Sequence, residues 1–168
     1  MASAGNGSPS HVAGELIKMM AGIDMVHVPY RGTASALTDL LGGQVQLLLV
    51  NPAASIQYIR AGRLRAIAVT TTTRSEALPD IPAVNEFIPG YEASLVYGLG
   101  APRSTPAYII ERLNRETNAL LADARIKVRL ADLDGTVLAG SPGDFGKLFA
   151  EETEKWAKVV KFSGARPS

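Results

Sequence analysis

At 168 residues the chain has the length of one domain or slightly more, and 46% hydrophobic with 20% charged residues is the balance of a globule with a real core. Its 17 basic and 16 acidic residues leave a net charge of +1 with no block of like charge, which argues against a phosphate-tracking surface and against nucleic acid as a partner. The absence of cysteine excludes disulfides, thiolate metal sites and cysteine nucleophiles, and no apolar run approaches the roughly 20 residues needed to cross a bilayer.

The first residues are small and polar, unlike a secretory signal, so any export signal is expected to lie outside this chain. The stretch SAGNGS at residues 3–8 is a glycine-rich turn, and Ser8-Pro9 supplies an N-cap followed by proline at the first helical position, which predicts a helix from Pro9. Val12, Leu16, Met19 and Met20 recur at helical spacing, with an end near Gly22. Gly5, Asn6, Gly7 and Ser8 admit two readings: a solvated connection, or an anion cradle made by the loop's N–H groups and the helix N-terminus. His11 and His27 are the only histidines, and without paired spacing neither a metal nor another cofactor is expected. Each reads as a packed or hydrogen-bonded imidazole.

Residues 25–28 read as a short strand stopped by Pro29-Tyr30-Arg31-Gly32. Thr33 stands where an N-cap would stand, and Ala36, Leu37, Leu40 and Leu41 then follow at helical spacing toward Gly42-Gly43. Val45 and residues 47–50 form a nearly continuous apolar run, as a strand covered on both faces would, ending in Asn51-Pro52. That order is strand, helix, strand. In open α/β sheets ligands bind beyond the carboxyl ends of the strands, so Arg31, Gly32, Thr33 and Asn51 are candidate contacts. Asn51 can also cap the helix that Pro52 opens through Ile56 and Ile59 to Ala61-Gly62.

Residues 64–69 predict a further strand, residues 70–75 a polar loop, and the proline-rich residues 78–82 a surface wrap. A turn at Pro89-Gly90-Tyr91 precedes a strand-like segment over residues 93–99. Ser104-Thr105-Pro106 repeats the cap-then-proline device ahead of a helix striped by Ile109, Ile110, Leu113, Leu120 and Leu121. Asp123 begins another helix, with Ile126, Val128, Leu130 and Leu133. Ser141-Pro142-Gly143-Asp144 is a capping-box variant opening a long last helix striped by Phe145, Leu148, Phe149, Trp156, Val159 and Val160. No GxSxG, Walker A loop, HExxH or dinucleotide fingerprint is present, so nothing marks an enzyme; loops and helix starts suit binding.

VPYRGTASALTDLLGGQVQLLLVNPAASIQYIRAGRLRAIAVTTTTRSEALPDIPAVNEF, residues 28–87, resembles the solute-binding proteins of tripartite tricarboxylate transporters, the Bordetella uptake gene family. SAGNGSPSH, GLGAPRSTP, LNRETNALLAD and EETEKWAKVV match the same family in the same order, so the likeness covers almost the whole chain. It implies an α/β, periplasmic-binding-protein-like fold of type II, with one lobe nearly complete plus C-terminal helices of the other. Residues 1–95 would be the second, ligand-facing lobe without its first elements, and 96–168 the return crossing and the helices belonging to the first lobe. The family normally has an aromatic residue, often tryptophan, just before the glycine of that crossing; Tyr97 before Gly98 is expected to take the role.

The implied function is extracytoplasmic, periplasmic capture of a small organic carboxylate, with membrane transporter subunits as partners. Two backbone cradles, at Gly5, Asn6, Gly7 and Ser8 and at Gly32, Thr33 and Ala34, would converge on carboxylate oxygens, with Asn51 adding its side chain. Family members are about twice this length, so the apolar stripe around Trp156 is expected to find a partner in a second copy, making a homo-oligomer. The alternative is a truncated remnant that binds no solute and acts through self-association alone.

Overall fold

The structure, a computed structural model, describes residues 1–133 and 135–165. Asp134 and residues 166–168, which belong to the expected 96–168 region, lie outside the described residues. The chain divides into two compact units, one formed by Met1–Leu95 with the chain from Lys155 on, the other by Val96–Glu154.

The first unit is built on a small parallel sheet. Strand β1 (Ala2–Ser3) pairs with β2 (Val28–Pro29) in the register Ala2 to Val28 and Ser3 to Pro29. On its other side Ala2 makes a parallel bridge to Leu48, with Ala2 N–H donating to the Leu47 carbonyl at 2.7 Å. Helix α1 (Pro9–Ala21) follows β1, α2 (Thr33–Leu41) follows β2, and α3 (Pro52–Arg60) follows the Leu48 segment. Strand, helix and parallel strand therefore alternate as expected, but the sheet is much smaller than residues 25–28, 45–50 and 64–69 predict. Gly5 at φ 132° turns the chain away one residue beyond Ala4, which limits β1, and β1 is the central strand on which both neighbours depend. Among the described residues, 64–69 pair only through a parallel bridge from Val69 to Ala83, and Ile67 is 59% exposed. The segment 93–99 is likewise no strand; beyond Ala93, whose N–H reaches the Thr70 carbonyl, it is irregular and exposed from Leu95 on.

Two apolar clusters hold this unit. Ala2, Ala36 and Val45 are buried together, with Tyr30, Leu40 and Leu48 against them, which docks α2 onto the sheet. Leu16, Tyr91 and Val159 form the other, flanked by Met19, Ile88 and Trp156, so α1 meets the last turns of α6 (Pro142–Ser163). The Tyr91 hydroxyl donates to the Ala13 carbonyl at 3.1 Å, satisfying the one polar atom this ring buries. Beside it Lys155 reaches the Glu92 carboxylate and lies 5.0 Å from the Trp156 ring centre. Burial pushes the Glu92 carboxyl up, but the bonds from Lys155 and Ser94 outweigh burial and hold it below its ordinary value.

The second unit is helical, with α4 (Ala107–Ala122), α5 (Ala124–Asp132) and the first part of α6. Helix α4 starts after Pro106, which takes the N-cap position with extended ψ of 143° instead of the expected first helical position. Its stripe is not buried as expected: Leu113 and Leu120 stay half exposed. Asp123 caps α5 as predicted, accepting from Arg125 N–H at 2.8 Å. The capping box of α6 is complete, with Asp144 N–H on Ser141 Oγ and Ser141 N–H on Asp144 Oδ2. The α6 stripe divides: Val159 is buried in the first unit whereas Phe149 is 66% exposed. Tyr97 is 83% exposed and so does not supply the expected aromatic packing. Gly98 does so indirectly, because a Cβ there would stand 2.3 Å from the Phe145 ring that occupies the space.

Candidate functional site

Both pairings of β1 are parallel, so three chain segments end side by side at one edge of the small sheet. Residues 4–8 leave β1, residues 30–34 leave β2, and residues 49–51 leave the Leu48 bridge. Neighbouring strands lie about 4.8 Å apart, which confines the three exits to a strip about 10 Å wide. Each exit leads into a helix N-terminus, where backbone N–H groups lack intrahelical acceptors. All of the sequence-predicted residues, Gly5, Asn6, Gly7, Ser8, Gly32, Thr33, Ala34 and Asn51, lie on this edge.

The first exit is a bonded frame. Ser8 caps α1, its Oγ accepting from His11 N–H at 3.3 Å and donating to the Gly5 carbonyl at 2.7 Å. Gly5 N–H goes to Ser3 Oγ at 3.2 Å, Gly7 N–H to His11 Nδ1 at 3.1 Å and Ser8 N–H to the Gly5 carbonyl at 3.2 Å. Among the described residues Asn6 alone in this loop keeps its N–H uncommitted, and Asn6 is exposed. The loop and Pro29, Tyr30 and Arg31 line an open groove of about 660 Å³. Sequence reasoning found the loop but missed Ser3, Ser10 and the two imidazoles that brace it. Only the pairing of β1 with β2 brings Ser3 to His27, and no local pattern reports that.

The second exit has no such frame. Gly32, at φ 154°, takes the N-cap position of α2 that the sequence assigns to Thr33, and no side chain caps this helix. Thr33 is the first helical residue, so Thr33 and Ala34 present first-turn N–H groups that lack an intrahelical acceptor. Glycine carries no side-chain oxygen, which leaves these donors open where a serine at the same position would close them. Arg31 is exposed beside them. Tyr30 donates its hydroxyl to Asp39 Oδ2 at 2.7 Å, and that bond raises the phenol's pKa, so Tyr30 stays neutral in the groove wall.

The third exit is Asn51, exposed, whose Oδ1 accepts from Ala53 N–H at 2.9 Å and so caps α3. That bond uses the amide oxygen and leaves the NH₂ end for another partner. Arg31 to Ala34 and Asn51 share the edge with the groove, yet of these Arg31 is the one that lines it. The arrangement can receive anionic oxygens on neutral donors, with Arg31 as a cation beside them; the hydroxyl–imidazole pair of Ser3 and His27 lies behind the loop, with Ser3 fully buried. Among the described residues no three His, Asp or Glu side chains are grouped to hold a metal.

Behind the loop the His11 and His27 rings stack at 3.8 Å with 9° between their planes. His27 Nε2 lies 2.6 Å from Ser3 Oγ, and Lys18 pairs with the buried Glu15 at 3.0 Å. Burial pushes both imidazoles below the ordinary 6.5; for His11, Glu15 partly offsets this and Lys18 adds to it, and for His27 the neighbouring His11 adds to it.

The sequence model of the tripartite tricarboxylate transporter family receptor, TctC, matches residues 1–164. The chain belongs to this receptor family. The first curated relatives it matches are 37% and 31% identical, and it spans about half their length, 48% and 50%. Among solved structures of receptor-like proteins, R. palustris Rpa4515 with adipate is 37% identical, with a TM-score of 0.84 over 96% of this chain and 55% of that one. The periplasmic binding protein BugD is 30% identical, with a TM-score of 0.82 over 99% of this chain and 57% of that one. MatC from Rhodopseudomonas palustris with bound malate is 27% identical, with a TM-score of 0.72 over 95% of this chain and 56% of that one. The fold of this chain is thus that of roughly half a periplasmic binding protein, with a small parallel sheet and mostly helical structure. The family is one of transporter receptors, not of enzymes. Among the described residues no helix is long and apolar enough to cross a membrane.

Proposed function

We propose that this chain is the carboxylate-binding part of a periplasmic receptor that hands a small dicarboxylate to the membrane subunits of a tripartite transporter. The observation that carries the reading is the shared strand edge, where the uncapped start of α2 and the amide of Asn51 flank a glycine loop. Residues 1–95 act as the ligand-facing second lobe of a type II binding protein, and residues 96–168 as the return crossing and helices of the first lobe. Asn6, Thr33 and Ala34 supply N–H groups to carboxylate oxygens, and Asn51 donates its NH₂. Adipate and malate, present in the structures of two relatives, favour a ligand with two carboxylates.

Calorimetric titration of the chain with adipate, and with the uncharged diol of the same carbon skeleton, tests this. Saturable binding of adipate alone is expected. Asn51→Asp keeps the cap on α3, since aspartate caps as well as asparagine. It also sets a negative charge against the ligand and weakens adipate at least tenfold, about 1.4 kcal/mol, at an unchanged melting temperature. Equal affinity of native and Asn51→Asp chains, or binding of the diol, contradicts the reading.

A second reading, self-association without solute, draws on the exposed Tyr97, Leu99, Tyr108 and Phe149 of the second unit. Light scattering across a concentration series tests it: a concentration-dependent dimer supports a homo-oligomer, and a constant monomer mass contradicts it.

A further inference from the structure

Gly7 owes its place to a histidine. Its N–H donates to His11 Nδ1 at 3.1 Å, and an imidazole nitrogen can accept that bond only while it carries no proton. Neutral His11 therefore keeps its own hydrogen on Nε2, which faces the Glu15 carboxylate at 3.8 Å. His27 stacks on the His11 ring, and its Nε2 meets Ser3 Oγ at 2.6 Å. Ser3 Oγ in turn accepts from Gly5 N–H, so both glycines of the loop are tied to the imidazole pair, one directly and one through a serine.

We propose that the stacked His11–His27 pair is a positioning device for the 4–8 loop, which holds its present shape only while His11 is neutral and is released on mild acidification. The inference rests on the receptor reading only in treating this loop as part of the ligand edge; the pair itself is independent of any ligand.

The groups around the pair set the direction of the effect. From α1 come Glu15, which favours protonated His11, and Lys18, which opposes it; from the strand side come His27 and the Met1 ammonium. Asn6 and residues Ser163, Gly164 and Ala165 line the remainder of a cavity of about 400 Å³ beside the rings, and none of these titrates. Adding a proton at Nδ1 turns an acceptor into a donor aimed at another donor. Gly7 must then give up its bond and move, and Ser8, bonded to the Gly5 carbonyl, moves with the loop. A second proton on His27 would set two cations in contact, so the pair takes its protons in separate steps.

The test needs no ligand, so its failure and the failure of adipate binding are separate results. In the isotope-labelled chain, the His11 ring and the Gly7 amide are followed by NMR from pH 8 to about 4.5, around the unperturbed histidine value of about 6.5. His11 is expected to titrate below that value, and the Gly7 amide to shift with the same midpoint. In His11→Asn, whose side-chain oxygen accepts near the position of Nδ1 without titrating, the Gly7 amide should stay at its high-pH position throughout. The same His11→Asn change also removes the repulsion that His11 exerts on His27 and should move the His27 midpoint up. A Gly7 amide that ignores the His11 titration, or that titrates unchanged in His11→Asn, overturns the proposal; so does a His11 midpoint at or above 6.5.

Discussion

Glu86 shows how a single exposed side chain ties two loops. Its carboxylate takes Arg74 in a fork, with Nε and an Nη each at 2.8 Å, and also accepts from Ala83 N–H at 2.8 Å. The Arg74 bonds first, and the Ala83 bond second, hold its pKa down to about 2 from the ordinary 4.5. A carboxylate held lower in the folded than in the unfolded chain contributes stability above pH 4.5 and loses it as the pH falls toward 2. Glu86→Gln should therefore be less stable than the native chain at neutral pH and should converge with it in acid, as read by denaturant unfolding at a series of pH values. Parallel curves for the two chains contradict that role. At this scale much was legible beforehand: Ser8, Asn51, Asp123 and Ser141 all cap as their local patterns require, because a cap is decided within four residues. Thr33 stands one place beyond its expected cap position because Gly32, with φ 154°, takes the turn instead.

Among the elements, α6 carries the most consequence for the first unit, because its last turns bring Val159 against Leu16 and Tyr91. Val159→Ala removes two methyl groups from a side chain that is 1% exposed, which should cost about 2 kcal/mol in denaturant unfolding. The same change at Val160, 39% exposed, should cost well under half of that; equal losses would mean that this cluster is not the core. Helix stripes were legible as helices but not as cores. Periodicity says which residues share a face, whereas Leu113, Leu120 and Phe149 show that a face can remain open. Strands fared worse. The apolar runs at 45–50 and 64–69 have the composition of buried strands, yet a strand exists only where another segment offers its backbone edge. Ala2–Ser3 offers two residues of edge, and the sheet is no larger.

For the whole molecule, three parallel segment ends place the glycine loop, the uncapped α2 and Asn51 on one edge, and the family match spans residues 1–164. That these segments share one edge was legible because the exits of parallel α/β folds follow from chain order. What sequence could not report is the bracing of Ser3 by His27, 24 positions apart, through a strand pairing that only the fold creates; Gly7 on His11 is a local bond, four positions apart, that no cap pattern marks. The division into two units at Leu95 and Lys155 likewise depends on where α6 ends up, not on any linker composition. Mapping backbone amide shifts while adipate is added tests whether the three exits bind one ligand together. The amides of Asn6, Thr33 and Ala34 and the side-chain amide of Asn51 are expected to move together along one saturation curve. Movement confined to α4 and α5, or saturation of other sites with these four unmoved, would contradict it.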